Sequence, residues 1–149
     1  MIRLDSDDWR VWLAPEHGVQ WLAAEVRRGT DWRAVVPDCR ESDAALDAAC
    51  FHMLPYSNRI RDGRFTFAGE TVQLANAERH AIHGAFRKLP WEIVRSSESA
   101  LECRIDSRRH PSVDWPWPIT ATLDVRLEGP TLASAMALTN VASRAMPAG

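Results

Sequence analysis

The chain has 149 residues, with 18 Lys and Arg against 20 Asp and Glu for a formal net charge of -2. It has no basic excess of the kind that binds nucleic acid or an anionic membrane. Its 46% hydrophobic and 26% charged content is that of a globular protein, and we expect one domain over residues 1–149, long enough to bury roughly 70% of its unfolded surface. No apolar run approaches the ~20 residues of a membrane span, and Met1–Asp8 lacks the basic start and apolar core of a secretory signal.

In chain order, Trp9-Arg10-Val11-Trp12-Leu13 reads as a strand ending at Pro15 and a turn at Gly18. Val19–Val26 is either a strand or a short helix, because its apolar residues crowd rather than alternate. Gly29-Thr30-Asp31 turns the chain into Trp32-Arg33-Ala34-Val35-Val36, whose valines favour a strand; together these segments suggest an antiparallel meander. Asp43 is a candidate N-cap for an Ala-rich helical turn reaching Phe51.

The stretch from Pro55 to Gly84 concentrates the chemistry. A turn at Asp62-Gly63 precedes a hairpin, with Phe65 and Phe67 on one face of the first strand and Val72 and Leu74 on one face of the second, joined through Ala68-Gly69-Glu70. Asn58 and Arg59 lie at one end of this stretch, and His80 and His83 at the other. A hairpin brings its ends together, so these four polar residues are candidates to share a pocket for a neutral polyol. Arg59 offers five fixed donors suited to hydroxyl clusters, although on composition alone it reads as a surface residue.

Further on, Trp91–Val94 and Leu101–Ile105 each alternate apolar residues around a polar Ser96–Ser99 loop. The clearest strand is Ile119–Leu127, with Ile119, Ala121, Leu123, Val125 and Leu127 on one face. Gly129-Pro130 leads into Thr131–Asn140, which is apolar on both faces and therefore expected between two layers. The last residues, Ala145–Gly149, carry no capping element. Regularly spaced short strands indicate a mostly β protein, an antiparallel β-sandwich or barrel.

Other chemistries have little support. His80 and His83 stand three apart, but the local turn signals oppose a helix and no third ligand has suitable spacing, so no metal site is expected. No nucleophile elbow, phosphate loop or dinucleotide fingerprint is present, and no cofactor is expected. His17, His52 and His110 read as surface or packing residues. Asp5, Asp7, Asp8 and the Asp106–Arg109 cluster read as solvated surface. The three cysteines, Cys39, Cys50 and Cys103, have no Cys-x-x-Cys spacing, which suits reduced thiols in a cytoplasmic protein, with Cys103 in a strand core.

The motifs Pro55-Tyr56-Ser57-Asn58-Arg59-Ile60, Gly63-Arg64-Phe65-Thr66-Phe67 and His80-Ala81-Ile82-His83-Gly84, in this order, resemble the N-terminal half of the aldose 1-epimerase (galactose mutarotase) family. Ala14-Pro15-Glu16-His17-Gly18, Trp115-Pro116-Trp117-Pro118, Thr139-Asn140 and Met146-Pro147-Ala148-Gly149 follow the same pattern. The resemblance implies a galactose mutarotase-like supersandwich, here an incomplete half, and a reaction that interconverts the α and β anomers of free aldoses, hexoses such as galactose or glucose. In that reaction a carboxylate base takes the C1 hydroxyl proton while a histidine acid protonates the ring oxygen, and ring opening, rotation and closure follow.

By the same resemblance, Arg59 holds sugar hydroxyls and His83 is the catalytic-site histidine that bonds the sugar near the reacting centre. Asn58 supports the Arg59 loop, and His80 is a further pocket residue. The acid histidine, a sugar-binding aspartate and the base glutamate follow the Met-Pro-Ala-Gly motif in the family, and no residue of this chain matches them. The expectation is therefore a truncated product, split subunit or degenerate copy that binds sugar weakly and does not catalyse alone. The alternative is a non-enzymatic sugar-binding or structural β module. Open sheet edges would favour poor solubility, self-association or pairing with a complementary C-terminal chain.

Overall fold

A computed structural model of the chain describes residues 1–41, 48–75 and 79–149. Two four-stranded antiparallel sheets frame it. The first is the meander β1 (Ile2–Asp5), β2 (Trp9–Ala14), β3 (Gln20–Arg28) and β4 (Asp31–Val36), ordered β1-β2-β3-β4. The second comprises β9 (Glu92–Ser96), β10 (Ala100–Asp106), β11 (Ile119–Glu128) and β12 (Thr131–Asn140), ordered β12-β11-β10-β9. Between them in sequence lie two two-stranded ladders. One pairs β5 (Arg59–Arg61) with β8 (His80–Ile82), and the other pairs β6 (Arg64–Phe67) with β7 (Glu70–Gln73).

One buried cluster takes residues from both large sheets, among them Leu4, Val11, Leu13 and Trp21 from the first and Leu101, Cys103, Ile119 and Leu123 from the second. This is the expected β-sandwich. Burial in β11 alternates along the whole strand, with Ile119, Ala121, Leu123, Val125 and Leu127 inside, as a half-buried antiparallel strand requires. Cys103 is fully buried in β10, and burial pushes its thiol up to about 11 with Glu102 contributing.

The ambiguous Val19–Val26 segment is a strand from Gln20 onward, and its crowding has two causes. Its register with β2 shifts between Trp12 and Leu13, and with β4 between Ala24 and Glu25. Such bulges disturb strict alternation. Trp21 and Ala24 consequently enter the main core, while Leu22 and Ala23 join Trp12 and Ala14 in a second buried cluster. An irregular strand apolar on both faces mimics helical spacing.

Three expectations need correction. Asp5, read as solvated surface, is half-buried at the end of β1, whose Leu4 is fully buried. Thr131–Asn140 is a strand but is not sandwiched between layers: it ends its sheet, only Leu132 and Leu138 are partly buried, and Met136 is 45% exposed. Its second face carries Ala and Thr, which are too small to demand a covering layer. The tail, expected to lack any cap, is tied down by two backbone bonds: Ser57 N–H donates to Gly149 O at 2.6 Å, and Gly149 N–H donates to Pro55 O at 3.1 Å. The helical turn expected over Asp43–Phe51 lies outside the described residues up to residue 47. Beyond it, Cys50 forms an isolated antiparallel bridge with Trp21.

An aromatic wedge anchors the β6–β7 hairpin. Phe65 stacks on Trp115 at 5.6 Å, Phe67 meets Trp117 edge-on at 5.8 Å, and the two tryptophans lie 5.3 Å apart. Period-2 alternation puts both phenylalanines on this face. The positive φ of Ala68 and Gly69 (50° and 82°) closes the two-residue turn between the strands. Trp117 is 1% exposed, and such buried aromatic pairs add about 0.5–1.5 kcal/mol beyond area burial. Trp117→Ala is expected to cost about 3–5 kcal/mol, read as a lower midpoint in urea-induced unfolding. A loss below about 1 kcal/mol would mean the wedge is not integral to the core.

Candidate functional site

The short β5–β8 ladder joins the two ends of the Pro55–Gly84 stretch. Its register sets Arg59 opposite Ile82, Ile60 opposite Ala81 and Arg61 opposite His80. Alternation turns Ile60 and Ala81 toward the core cluster, leaving Arg59, Arg61, His80 and Ile82 on the other face. Beyond the last pair, His83 N–H donates to Asn58 O at 2.8 Å. The backbone thus brings Asn58, Arg59 and His83 together at one end of the ladder, while His80 stands at the opposite end.

The backbone at this junction is unusual. Asn58 and His83 have φ of 51° and 62°, and Gly84 has 76°. Left-handed residues other than glycine are uncommon and tend to cluster at functional positions. Glycine at 84 is obligatory for a further reason. A Cβ there would overlap the Leu54 carbonyl group, while Ala85 N–H donates to that carbonyl oxygen at 2.6 Å. His83 is therefore flanked by two backbone hydrogen bonds, one to Asn58 and one through Ala85 to Leu54.

The His83 ring is half-buried and meets Phe51 edge-on at 5.3 Å. The Arg87 guanidinium lies over that same phenyl ring, 4.8 Å from its centroid. His83 Nδ1 is buried with no hydrogen-bond partner among the described residues. A buried polar atom left unpaired is costly, and the indole nitrogens of Trp21, Trp91, Trp115 and Trp117 are in the same state. Arg59 is exposed, with its guanidinium available to a ligand's oxygens.

His80 has a local partner: its Nδ1 accepts from Asp62 N–H at 3.0 Å, with the Asp62 carboxylate 3.7 Å away. In the neutral ring the proton is then on Nε2. This contact braces the turn where Asp62 and Gly63 both have positive φ. Arg61, not singled out from the sequence, shares the outward face with Arg59, and strict alternation along 59–61 was the available signal. Phe51 and Arg87 reach the site only through tertiary packing, and no local pattern marks them.

Elsewhere, a separate depression of about 580 Å³ opens along β9, β10 and β11, lined by Trp91, Glu92, Arg104, Arg109, His110 and Thr122 among others. It shares no residue with the β5–β8 junction, and its Arg104 already holds Glu92 through two bonds of 3.0 and 2.8 Å. Among the described residues no group of three or more His, Cys, Asp or Glu could hold a metal ion, and no helix is long and apolar enough to cross a membrane.

The family model for aldose 1-epimerase matches residues 1–149. The chain is 30% identical over 128 residues to the protein YphB of Escherichia coli K12, covering 79% of this chain and 41% of YphB. It is 32% identical over 95 residues to the aldose 1-epimerase of the same organism, covering 61% of this chain and 27% of that enzyme. Among solved structures, one from Escherichia coli K12 superposes with a TM-score of 0.80 at 23% identity, covering 98% of this chain and 48% of that one. A galactose mutarotase-like protein from Lactobacillus casei gives 0.78 at 16% identity, covering 99% and 47%. The chain thus spans less than half the length of each of these proteins.

Two outcomes test the local physics. Gly84→Ala is expected to destabilise by at least about 2 kcal/mol, since left-handed strain adds to a backbone clash, and denaturant unfolding reads it directly. His52 supplies a pH test: burial holds its imidazole below the ordinary 6.5, with hydrogen bonds to the Gly18 and Val19 backbone acting the other way. The unfolded chain therefore takes up this proton before the folded chain does. Stability is expected to fall as the pH drops from about 6.5, levelling once the folded ring protonates. His52→Gln should flatten that slope in unfolding curves measured from pH ~7 to ~5.

Proposed function

Because the chain belongs to the aldose 1-epimerase family, we propose that residues 1–149 form one partial sandwich domain that holds a free aldose, such as galactose or glucose. The domain supplies the substrate-holding side of an anomer-interconverting site. The observation that supports this reading is the β5–β8 junction, where the register and the Asn58–His83 backbone bond bring the main chain at Asn58, Arg59 and His83 to the same end of the ladder.

Arg59 donates from its planar fork to sugar hydroxyls, and His83 bonds the sugar near the reacting centre. Asn58 holds the backbone turn that aims Arg59, and His80 marks the far rim of the pocket. Binding of this kind is geometric: several donors with fixed directions select a hydroxyl pattern that a single flexible cation would not.

Mutarotation requires one group to accept the C1 hydroxyl proton while another donates to the ring oxygen. The family resemblance puts the donor histidine directly after the Met-Pro-Ala-Gly motif. In this chain the last residue of that motif is hydrogen-bonded to Pro55 and Ser57, next to Asn58. That placement supports a two-sided site in which the proton-transfer pair comes from outside residues 1–149 and approaches the sugar across from Arg59. A reduced, cytoplasmic setting suits the free thiols of Cys50 and Cys103.

Polarimetry on freshly dissolved α-glucose or galactose, with the buffer rate subtracted, tests the division of labour. Residues 1–149 alone are expected to leave mutarotation at the buffer rate. Acceleration that disappears in His83→Ala would overturn this. Binding is expected to show as saturable sugar-induced NMR shifts, weakened about tenfold or more in Arg59→Ala. If binding is intact in both variants, the sugar sits elsewhere. If binding depends on Arg59 and no proton-transfer activity appears even when a family C-terminal half is supplied, the domain is a non-enzymatic sugar-binding module.

A further inference from the structure

The Ala14–Gly18 motif lies far in sequence from the β5–β8 junction, yet the corner at its end grips both segments that pack toward His83. Gly18 and Val19 both have positive φ, 68° and 53°. Val19 is β-branched and fully buried. Such a residue keeps a left-handed conformation only where its surroundings over-determine it.

One grip is on residues 87–89. A Cβ at Gly18 would overlap the Arg87 carbonyl, so the two backbones touch there. Gly18 N–H donates to Leu89 O at 2.8 Å, and the buried Gln20 donates from its side-chain amide to Arg87 O at 3.1 Å. The other grip is on residues 50–52. Trp21 N–H donates to Cys50 O at 3.0 Å, and His52 is hydrogen-bonded to the backbone of Gly18 and Val19. Arg87 and Phe51 are thus fixed, through their own or adjacent main chain, to one corner of the first sheet.

Their side chains meet at the site. The Arg87 guanidinium lies over the Phe51 ring, 4.8 Å from its centroid, and that ring meets the His83 imidazole at 5.3 Å with 68° between the planes. The Asn58 carbonyl holds the His83 main chain, but a backbone anchor leaves the imidazole its rotation about χ1 and χ2. The phenyl ring restricts that rotation, because an edge-to-face pair has a preferred geometry. The cation over Phe51 steadies the phenyl ring in turn.

We infer that Phe51, backed by Arg87, is a positioning residue that sets the imidazole orientation of His83 toward a sugar, and that the Gly18–Gln20 corner carries this support from the first sheet. The inference rests on the sugar-holding role proposed above for His83. It gives the Ala14–Gly18 motif a task at the site through contacts two removes from it. A binding group whose rotamer is locked by packing loses less entropy when the ligand arrives.

Three-bond couplings across χ1 of His83, measured by NMR on the 149-residue chain without sugar, are expected to report one staggered rotamer. Phe51→Leu is expected to average them, whereas Phe51→Tyr keeps the ring and is expected to leave them unchanged. In titrations with galactose or glucose, Phe51→Leu is expected to weaken binding about threefold to tenfold, with Phe51→Tyr within about twofold of the unsubstituted chain. Arg87→Met keeps the apolar stem and removes the cation. It is expected to average the couplings in part and to weaken binding about twofold to fivefold, with Arg87→Lys restoring most of the loss. This variant also reads the line of support if Phe51→Leu folds poorly.

A single His83 rotamer retained in Phe51→Leu would overturn the inference, as would equal losses of binding in Phe51→Leu and Phe51→Tyr. Averaged couplings with unchanged affinity would also sink it, since the imidazole orientation would then not matter to the sugar. Weaker binding in Arg87→Met with unmoved couplings would make Arg87 a sugar contact instead of a support. If the unsubstituted chain binds neither sugar, the proposed function fails, while the couplings still decide whether Phe51 orients His83.

Discussion

The site depends on a close backbone approach between residues 54 and 84. Gly84 leaves no room for a side chain against the Leu54 carbonyl, and Ala85 N–H bonds to that same oxygen. With these two points held, the long excursion between them must return to its start. β5 and β8 zip into register, and Asn58 and His83 meet. Removing a side chain from one position thus fixes the relation of two candidate-site residues that lie far apart in sequence.

The rest of the molecule serves that closure in layers. The β6–β7 hairpin projects beyond the ladder and would be free to swing, but Phe65 and Phe67 dock on Trp115 and Trp117. Those tryptophans belong to the connection that feeds β11, the most regularly buried strand of the sandwich. Rigidity passes from the core through the aromatic wedge to the hairpin and on to the ladder. The tail adds a second brace, since Gly149 bonds to Pro55 and Ser57 just before Asn58. A binding site held on a rigid scaffold loses less entropy when a ligand arrives.

The surface charges contribute little to this architecture. Asp106 with Arg108 and Asp38 with Arg40 are well-formed pairs, and the guanidinium holds each carboxyl down at about 2. Both pairs are local, two residues apart, and solvent-exposed, where ion pairs do little for stability. Their effect is to keep polar loops in shape. The fold is held by apolar burial and by backbone hydrogen bonding across antiparallel ladders.

Local pattern determined a good deal. Alternation in Ile119–Leu127 identified its buried face, period-2 patterning about Ala68-Gly69-Glu70 identified the β6–β7 hairpin, and the ordered motifs around Asn58, Arg59 and His83 identified the family and the junction. These features are legible because periodicity and turn chemistry act over a few residues. The tertiary structure decided what depends on contacts distant in sequence. Bulges resolved Val19–Val26 into a strand, and docking on β2 made a strand of Ile2–Asp5. Position at the end of a sheet left Thr131–Asn140 exposed, although its composition reads as buried. The partners of the histidines were also decided there: His80 is engaged by the Asp62 amide, whereas His83 is packed on Phe51, with Nδ1 unpaired among the described residues. Burial and hydrogen-bond satisfaction are properties of a neighbourhood, and the neighbourhood exists only once the chain has closed.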